Sequence, residues 1–261
     1  MPPPRFSPSA SPFSPASANG PSGRTVRPSP GLVRSGIFAG LPKRPQPEPR
    51  RYLSFTQVAQ LANAAAFAAS IGYPLNAQIT LAWERIPGFS AYDLPQLQGA
   101  LMLRLAQWLK RRGVTLRCVW VRERVSGRGL HTHLMLSLPL TLKDEAQAFL
   151  TASGGFVDTP RSKGVWIECG ACTAAAWAGS LRYFAKGLDH RDFVYGSCGS
   201  TENLGVLLGV DHRGSQGVIP CKRSGTSENL GPKARSRAGW REVRDPLGLS
   251  FILNPERLAN E

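Results

Sequence analysis

The feature that most constrains the fold is a strand–turn–strand pattern between residues 114 and 138. Residues 114–125 are rich in β-branched and aromatic side chains, which favours an extended strand. Residues 126–129 read Ser-Gly-Arg-Gly, a composition typical of a turn, and residues 130–138 are a second apolar-rich run that Pro139 closes. The sequence therefore predicts an antiparallel hairpin.

Helices and further strands flank this hairpin. Ser54 can cap a helix that ends near Gly72, and Asp93 can cap a second helix that ends at Gly113. The remaining elements are predicted as a strand over 77–83, a helix over 144–152, a strand over 165–168 and an Ala-rich helix over 173–187. This order predicts an α+β fold: an antiparallel β-sheet of four or five strands, with helices packed mainly on one side.

The two ends of the chain differ in composition from its middle. Of the 22 prolines, 13 lie between Pro2 and Pro49, and the first acidic residue is Glu48. Such a segment has little apolar surface to bury, so residues 1–50 are predicted to be a disordered Pro/Ser/Arg-rich tail. We expect residues 51–195 to form the ordered domain and residues 196–261 a basic C-terminal extension.

The charge of the chain narrows the class of partner. Lys and Arg number 32 against 17 Asp and Glu, a formal net charge of +15, which favours a polyanion such as nucleic acid over a merely solvated basic surface. A membrane is the weaker candidate, because the sequence has no long apolar run. The five cysteines are an odd number, which favours reduced thiols in a cytosol-like compartment.

Two histidines stand two residues apart on the second strand of the hairpin. Because side chains alternate between the faces of a strand, His131 and His133 should project from the same face, while the leucines of that run largely face the other. Neighbouring imidazoles can chelate one divalent cation. The plain alternative is two exposed polar residues on a half-buried strand.

A tyrosine and a lysine stand three residues apart on the Ala-rich helix. Tyr183 and Lys186 share a helix face distinct from the apolar stripe that includes Leu181 and Phe184. A free phenol with a pKa of about 10 is only ~0.1% ionised at pH 7, a deficit of roughly 4 kcal/mol for a nucleophile. A nearby ammonium or metal can recover part of this deficit. The plain alternative is an amphipathic tyrosine beside a solvated lysine.

Together these motifs resemble the HUH endonucleases, a superfamily of rolling-circle replication initiators, relaxases and single-strand transposases. Their His-hydrophobic-His strand is similar to residues 131–136, although Thr132 is less apolar than the usual middle residue. The initiators carry a Tyr-x-x-Lys helix downstream, as Tyr183 and Lys186 do here, whereas relaxases carry the tyrosine near their start. The resemblance covers about residues 75–190, with residues 79–81 in the place of an early motif, and implies an HUH/RRM-like sheet.

The resemblance implies Mg²⁺ or Mn²⁺ held by His131, His133 and a carboxylate. Glu123 is the candidate if the hairpin loop has three residues, because it then lies opposite His131; a four-residue loop would place Arg124 there. Glu84, at the end of the first strand, and Glu168 are the further candidates.

The resemblance also implies the reaction and its partners. The metal polarises a scissile phosphate and Tyr183 attacks it, which leaves a 5′-phosphotyrosine and a free 3′-OH. The expected substrate is single-stranded DNA at the replication origin of a phage or plasmid, in the cytoplasm of a bacterial host, with host helicase and polymerase as further candidate partners. The cations expected to contact DNA are Arg122, Arg124, Arg128, Arg182, Lys233, Arg235 and Arg237.

Two other functions stay open at this point. A single-strand transposase would use the same chemistry on hairpin ends. A non-catalytic single-stranded nucleic-acid-binding or regulatory protein could use the same sheet, and it would depend neither on Tyr183 nor on a divalent metal.

Overall fold

A five-stranded antiparallel sheet forms the centre of the computed structural model. The structure describes residues 51–159, 162–170, 174–189, 191, 193–195, 201–210 and 217–254. The tail expected over residues 1–50 lies outside the described residues. The strands are β1 (Ala77–Ala82), β2 (Cys118–Val125), β3 (Gly129–Leu136), β4 (Val165–Cys169) and β7 (Ser224–Thr226), with β5 (Phe193–Tyr195) and β6 (Thr201–Asn203) in a separate two-stranded ribbon.

The helices begin near the residues that the sequence predicts, although Asp93, the expected cap of the second long helix, makes no side-chain capping hydrogen bond. Seven are described: α1 (Phe55–Ser70), α2 (Leu94–Lys110), α3 (Lys143–Gly154), α4 (Ala174–Ala185), α5 (Leu204–Leu207), α6 (Pro232–Arg237) and α7 (Pro246–Leu253). Ser54 and Gln57 form a reciprocal capping box at the start of α1. Pro95 lies in the first turn of α2, where its missing N–H costs no hydrogen bond. The helices predicted from the sequence are therefore confirmed to within a few residues.

The sheet order explains how distant motifs meet. The segment β1-α2-β2-β3-α3-β4 has the spatial strand order β4-β1-β3-β2, a split βαβ arrangement, and β7 extends it beyond β2. The α+β class with an antiparallel sheet and packed helices is confirmed. The strand expected to begin at Val114 begins instead at Cys118. The backbone N–H of Val114 donates to the carbonyl oxygen of Leu109, in the last turn of α2.

Helices cover both faces of the sheet, which corrects the expectation that they lie mainly on one side. Leu81 and Leu134 pack with α2 and α3 on one face, here called the α2 face. Val121 and Met135 pack with α1 and α4 on the other, here called the α4 face. Apolar side chains occur at both the even-numbered and the odd-numbered positions of the strands, so each face of the sheet has apolar surface to bury.

The C-terminal residues complete this unit and do not form a separate extension. β7 pairs with β2, and the side chain of Asn63 in α1 bonds the backbone of Val243 and the indole N–H of Trp240. These bonds satisfy a polar side chain that is only 1% exposed. No helix in the described part of the chain is long and apolar enough to cross a bilayer.

Candidate active site and nucleic-acid interface

The β2–β3 hairpin has a three-residue loop, residues 126–128, between the paired Val125 and Gly129. This register places Glu123 directly opposite His131, as the three-residue alternative predicts. Gly129 has φ +78°, a left-handed conformation that favours glycine, and a Cβ at this position would also displace the exposed side chain of Glu84.

Both histidines project from the α4 face. Their rings are nearly parallel, with an interplanar angle of 8° and centroids 6.3 Å apart, a separation close to the two-residue repeat of a strand. Nδ1 of His131 lies 3.1 Å from the carbonyl oxygen of Gly129, which assigns the ring proton to Nδ1 and leaves the lone pair of Nε2 accessible. Burial, followed by the neighbouring His133, lowers the pKa of His131, so this imidazole is neutral at pH 7.

Both ring nitrogens of His133 have partners. Nε2 donates to Oε1 of Glu123 at 2.7 Å, and Nδ1 accepts from the hydroxyl of Thr80 at 2.9 Å. A hydroxyl can also accept a hydrogen bond, so Thr80 remains a partner if the proton moves to Nδ1 and the lone pair of Nε2 turns to a metal. Thr80 lies beside His133 because β1 pairs with β3 at this row of the sheet.

Glu123 is a buried carboxylate among cations. Oε2 forms an ion pair of 2.6 Å with Nζ of Lys186, although the geometry is not that of a directed hydrogen bond. Burial alone would raise the pKa of Glu123, but the hydrogen bond from His133 and the close ammonium of Lys186 outweigh burial and lower the pKa to about 2. Glu123 is therefore ionised at neutral pH despite a side chain that is 6% exposed.

Helix α4 brings the tyrosine to this cluster. Leu181, Phe184 and Ala185 pack into the core of the α4 face, which orients the half-buried Tyr183 toward β3. The Tyr183 ring meets the His133 ring edge to face with centroids 5.3 Å apart. Nζ of Lys186 lies over the same tyrosine ring, 3.6 Å from its centroid. The fold thus joins residues that are about fifty positions apart in the sequence.

The donor types fit a divalent metal, although the side chains as they stand do not surround one. Nε2 of His133 and Oε1 of Glu123 lie 2.7 Å apart, and an imidazole nitrogen and a carboxylate oxygen are both ligands of divalent metals. Among the described residues, no group of three or more His, Cys, Asp or Glu side chains is placed to hold a metal ion. Two imidazoles favour a transition metal over Mg²⁺.

The other two candidate carboxylates occupy different places. Glu84 is exposed and accepts a hydrogen bond from the backbone N–H of Leu130 at 3.4 Å, at the tip of the hairpin. Glu168 lies on β4 opposite Gln78, one row of the sheet away from His133, and accepts from the indole of Trp166. Of the three candidates, Glu123 is the one that bonds His133.

Two of the seven predicted DNA contacts are interior residues, which corrects the expectation for Arg122 and Arg235. Arg122 lies on the α2 face, where it donates to Gln98 and to the backbone of Lys222. Arg235 is 0% exposed and is paired with Glu242. Both guanidinium groups are buried and donate to acceptors within the protein, so neither is placed to contact a phosphate.

Two of the remaining cations flank the hairpin loop. Arg124 and Arg128 are exposed at the tip of the β2–β3 hairpin. Arg182 is half-buried on α4 and donates to the carbonyl oxygen of Leu253 and to the side chain of Asn254, so its guanidinium already has protein partners. Arg124 has the strand parity of Arg122 and so lies on the α2 face, whereas Arg128 is near enough to His131 to act on its pKa. Arg128 is therefore the better candidate for a phosphate contact near the histidines.

Lys233 and Arg237 line a groove between α6 and α2. Exposed on α6, they face Lys110 of α2 across a groove of about 1310 Å³, and Trp120 of β2 lies in its wall. Cations beside an aromatic ring are typical of single-strand binding surfaces. The exposed cations of α6 therefore gather at this groove, which one carboxylate, Glu228, also lines.

Sequence reasoning missed Arg223, which is 1% exposed and lies just before β7. Its Nη1 donates to the carbonyl oxygen of Gly217 at 2.9 Å. Burial lowers the pKa of Arg223 to about 10, while nearby Glu123 acts in the opposite direction. A strand of three residues has too little alternation to be predicted, so no sequence pattern pointed to this arginine.

Comparisons with known proteins add no relative to this description. No protein-family model matches the chain, and neither does any curated protein or solved structure.

Because Glu123 is a buried carboxylate with a lowered pKa, we expect the free energy of unfolding to fall in acid. The pKa of Glu123 is about 2 in the folded chain and about 4.5 when unperturbed, so its stabilising effect is complete above about pH 4.5. The effect is lost as the pH falls toward 2. In urea titrations over this range, the free energy of unfolding of the wild type should fall more steeply than that of Glu123→Gln, by up to about 1.4 kcal/mol per pH unit. Equal slopes for the two proteins would contradict the assigned pKa.

Proposed function

We propose that this chain is a metal-dependent endonuclease that nicks single-stranded DNA through Tyr183 and initiates rolling-circle replication of a phage or plasmid. The observation that carries the proposal is the meeting of Tyr183 with His133, at 5.3 Å between ring centroids, beside Glu123 and Lys186. The formal charge of +15 supports a polyanionic substrate. The role at a replication origin rests on the order of the motifs, with the histidines before the tyrosine.

The proposed reaction is an in-line displacement at phosphorus. A bond forms between Oη of Tyr183 and the scissile phosphorus while the bond to the 3′ oxygen breaks, which leaves a 5′-phosphotyrosine and a free 3′-OH. The phenolic proton passes to solvent, and the departing 3′ oxygen takes up a proton from solvent. Because one phosphodiester is exchanged for another, the same residues can run the step backward and rejoin a strand.

Lys186 has two partners that suit it to this reaction. Its ammonium group lies over the ring of Tyr183 and pairs with Glu123, so it is held at the nucleophile by both contacts. A fixed positive charge there favours the anionic tyrosine oxygen and the charge that builds up on the phosphate.

His131, His133 and Glu123 would hold the metal. A divalent cation bound there supplies Lewis-acid polarisation of the scissile phosphate. Thr80 would orient His133 through Nδ1, and the carbonyl of Gly129 would orient His131, which are the contacts that such ligands need to present Nε2.

Two alternatives remain as competing proposals. A transposase would use the same residues on hairpin ends, and the single-turnover chemistry would not separate it from an initiator. A non-catalytic single-strand-binding protein is favoured by a different observation: the chain His133–Glu123–Lys186 is already paired within the protein, as in a purely structural ion network.

The decisive experiment is a search for the covalent intermediate. We expect the wild-type protein, incubated with Mn²⁺ and a labelled pool of single-stranded DNA of random sequence, to form an adduct that survives denaturing electrophoresis. Peptide mapping should locate the attached 5′ phosphate on Tyr183, and EDTA should prevent the adduct. A protein that binds the pool equally with and without metal, and forms no adduct, would instead be the binding module.

The basic groove predicts a specific salt dependence. Replacing Lys233 and Arg237 by Ala should lower the affinity for single-stranded DNA, because each phosphate contact contributes about −0.7 to the slope of log K against log[salt]. The double variant should therefore have a slope smaller in magnitude by about 1.4, measured by fluorescence anisotropy across a salt series. The matched control is Arg244→Ala, an arginine 84% exposed that does not line the groove. An unchanged slope would remove the groove from the binding surface.

A further inference from the structure

A second cavity lies on the α4 face, next to the candidate active site. Its volume is about 370 Å³, at the small end of ligand sites in proteins. Met135 of β3, Gln78 of β1, Glu168 of β4 and Ser180 of α4 are among its lining residues. The cavity is therefore bounded by the sheet on one side and by the helix of the nucleophile on the other.

The residues that line the cavity are displaced from those of the candidate active site by two residues along the strands and by one turn along α4. Met135 is two residues beyond His133 on β3, and Gln78 pairs with Met135 just as Thr80 pairs with His133. Ser180 precedes Tyr183 by three residues, so it lies on the same face of α4, one turn earlier. Two residues of a strand span about 7 Å, so a strand of DNA held at Tyr183 has its neighbouring nucleotide beside this cavity.

An exposed tryptophan lies beside Glu168, one of the residues that line the cavity. Trp166 of β4 is 47% exposed although it belongs to the central sheet, and it pairs with Thr80 in the same row as His133. Its indole Nε1 donates to Oε1 of Glu168 at 2.9 Å, which ties the ring to a residue that lines the cavity. Lys163 lies 5.0 Å from the ring centroid. A large aromatic ring held in one orientation at a surface is a platform on which a base can stack.

The polar groups of the cavity suit a base and not a phosphate. Glu168 uses one carboxylate oxygen for Trp166, and its charge repels a phosphodiester, whereas the other oxygen can accept from an amino group. The amide of Gln78 makes no hydrogen bond to another described residue, and it offers both a donor and an acceptor to a base edge. Lys143 adds a cation at the wall, where the backbone of a bound strand would pass.

We infer that this cavity is a nucleobase-recognition subsite: Trp166 stacks the base of the nucleotide that flanks the scissile phosphate, and Gln78 and Glu168 read its edge. The inference rests on the proposed function, since it takes single-stranded DNA held at Tyr183 as its starting point. A carboxylate acceptor favours adenine, cytosine or guanine, which carry an exocyclic amino group, over thymine, which has none.

The first test is affinity for a fluorescent pool of single-stranded DNA with a randomised central stretch. The Trp166→Ala variant should bind the pool roughly 5- to 150-fold more weakly, because it loses the stacking platform. The Trp166→Phe variant should retain most of the affinity, because it keeps an aromatic ring. The control is Tyr92→Ala, which removes a ring that is 69% exposed and lies outside the sheet.

The second test is the sequence of the strands captured in the covalent adduct. The wild type should enrich amino-bearing bases at one position next to the nick, and Glu168→Gln should lose that preference there while the other positions keep theirs. If the wild type forms the adduct but Trp166→Ala binds normally and Glu168→Gln captures the same sequences, the subsite is wrong and the nicking function stands. If the wild type forms no adduct, the proposed function fails, and the subsite fails with it.

Discussion

Tyr183→Phe is expected to abolish the covalent protein–DNA adduct and to slow strand cleavage by about 10⁴-fold or more, because it removes the attacking oxygen. The rest of the site should remain. The phenylalanine ring keeps the edge-to-face contact with His133 and the contact with the ammonium of Lys186. Affinity for single-stranded DNA should therefore change by no more than about twofold, since the ring and the cations stay in place. Denaturing gels and anisotropy on the same preparations measure the two quantities.

The matched control is Tyr92→Phe, which removes one hydroxyl from an exposed residue away from the sheet. It should form the adduct at the wild-type rate. An adduct that persists in Tyr183→Phe would assign the nucleophile to another residue, and it would leave the contacts of Tyr183 with His133 and Lys186 as packing alone.

The hairpin that carries the histidines was predictable from the sequence because its information is local. Alternation along β3 sets which side chains share a face, and the composition of the loop limits its length to three or four residues. Those two local facts are enough to place both histidines on one face and to limit the residue opposite His131 to Glu123 or Arg124, and the three-residue loop of the structure decides for Glu123. Helix α1 was predictable for the same reason, since Ser54 and its capping partner Gln57 lie three residues apart.

The distribution of helices on two faces was not predictable in this way. It depends on which face of the sheet α1 and α4 cross, and contacts between distant segments determine that choice. Thr132 illustrates the point. Its hydroxyl accepts from the indole of Trp83 at 2.8 Å and donates to Gln98 at 3.1 Å, inside the α2 face. The polar residue in an otherwise apolar motif is therefore explained by partners 49 and 34 positions away.

The positions of basic residues in the sequence also did not distinguish surface cations from buried ones. Arg122 and Arg235 looked like their exposed neighbours Arg124 and Arg237 in the sequence, yet each has its partners on another element. Burial of an arginine is tolerable only when its donors are satisfied. Whether they are satisfied depends on the tertiary fold, so a run of basic residues predicts a class of partner but not the residues that touch it.

Glu123→Leu is expected to lower the free energy of unfolding by about 3 to 5 kcal/mol, because it leaves the ammonium of Lys186 buried without its carboxylate. Adding Lys186→Met should restore most of that loss, since the double variant removes both charges and keeps the volume of the side chains. Urea titrations of the two single variants and the double variant at pH 7 measure the coupling. An exposed pair gives the matched control: Glu145→Leu, which removes the partner of Arg112, should cost less than about 1 kcal/mol.

The same variants separate the structural role of the cluster from its chemical role. A double variant that is stable and still fails to form the DNA adduct would show that Glu123 and Lys186 are needed for the reaction and not only for the fold. A double variant as unstable as Glu123→Leu would mean that the unpaired charge of Lys186 is not the source of the loss. If the double variant nicks DNA at the wild-type rate, neither residue belongs to the active site, and the buried His133–Glu123–Lys186 chain serves stability alone.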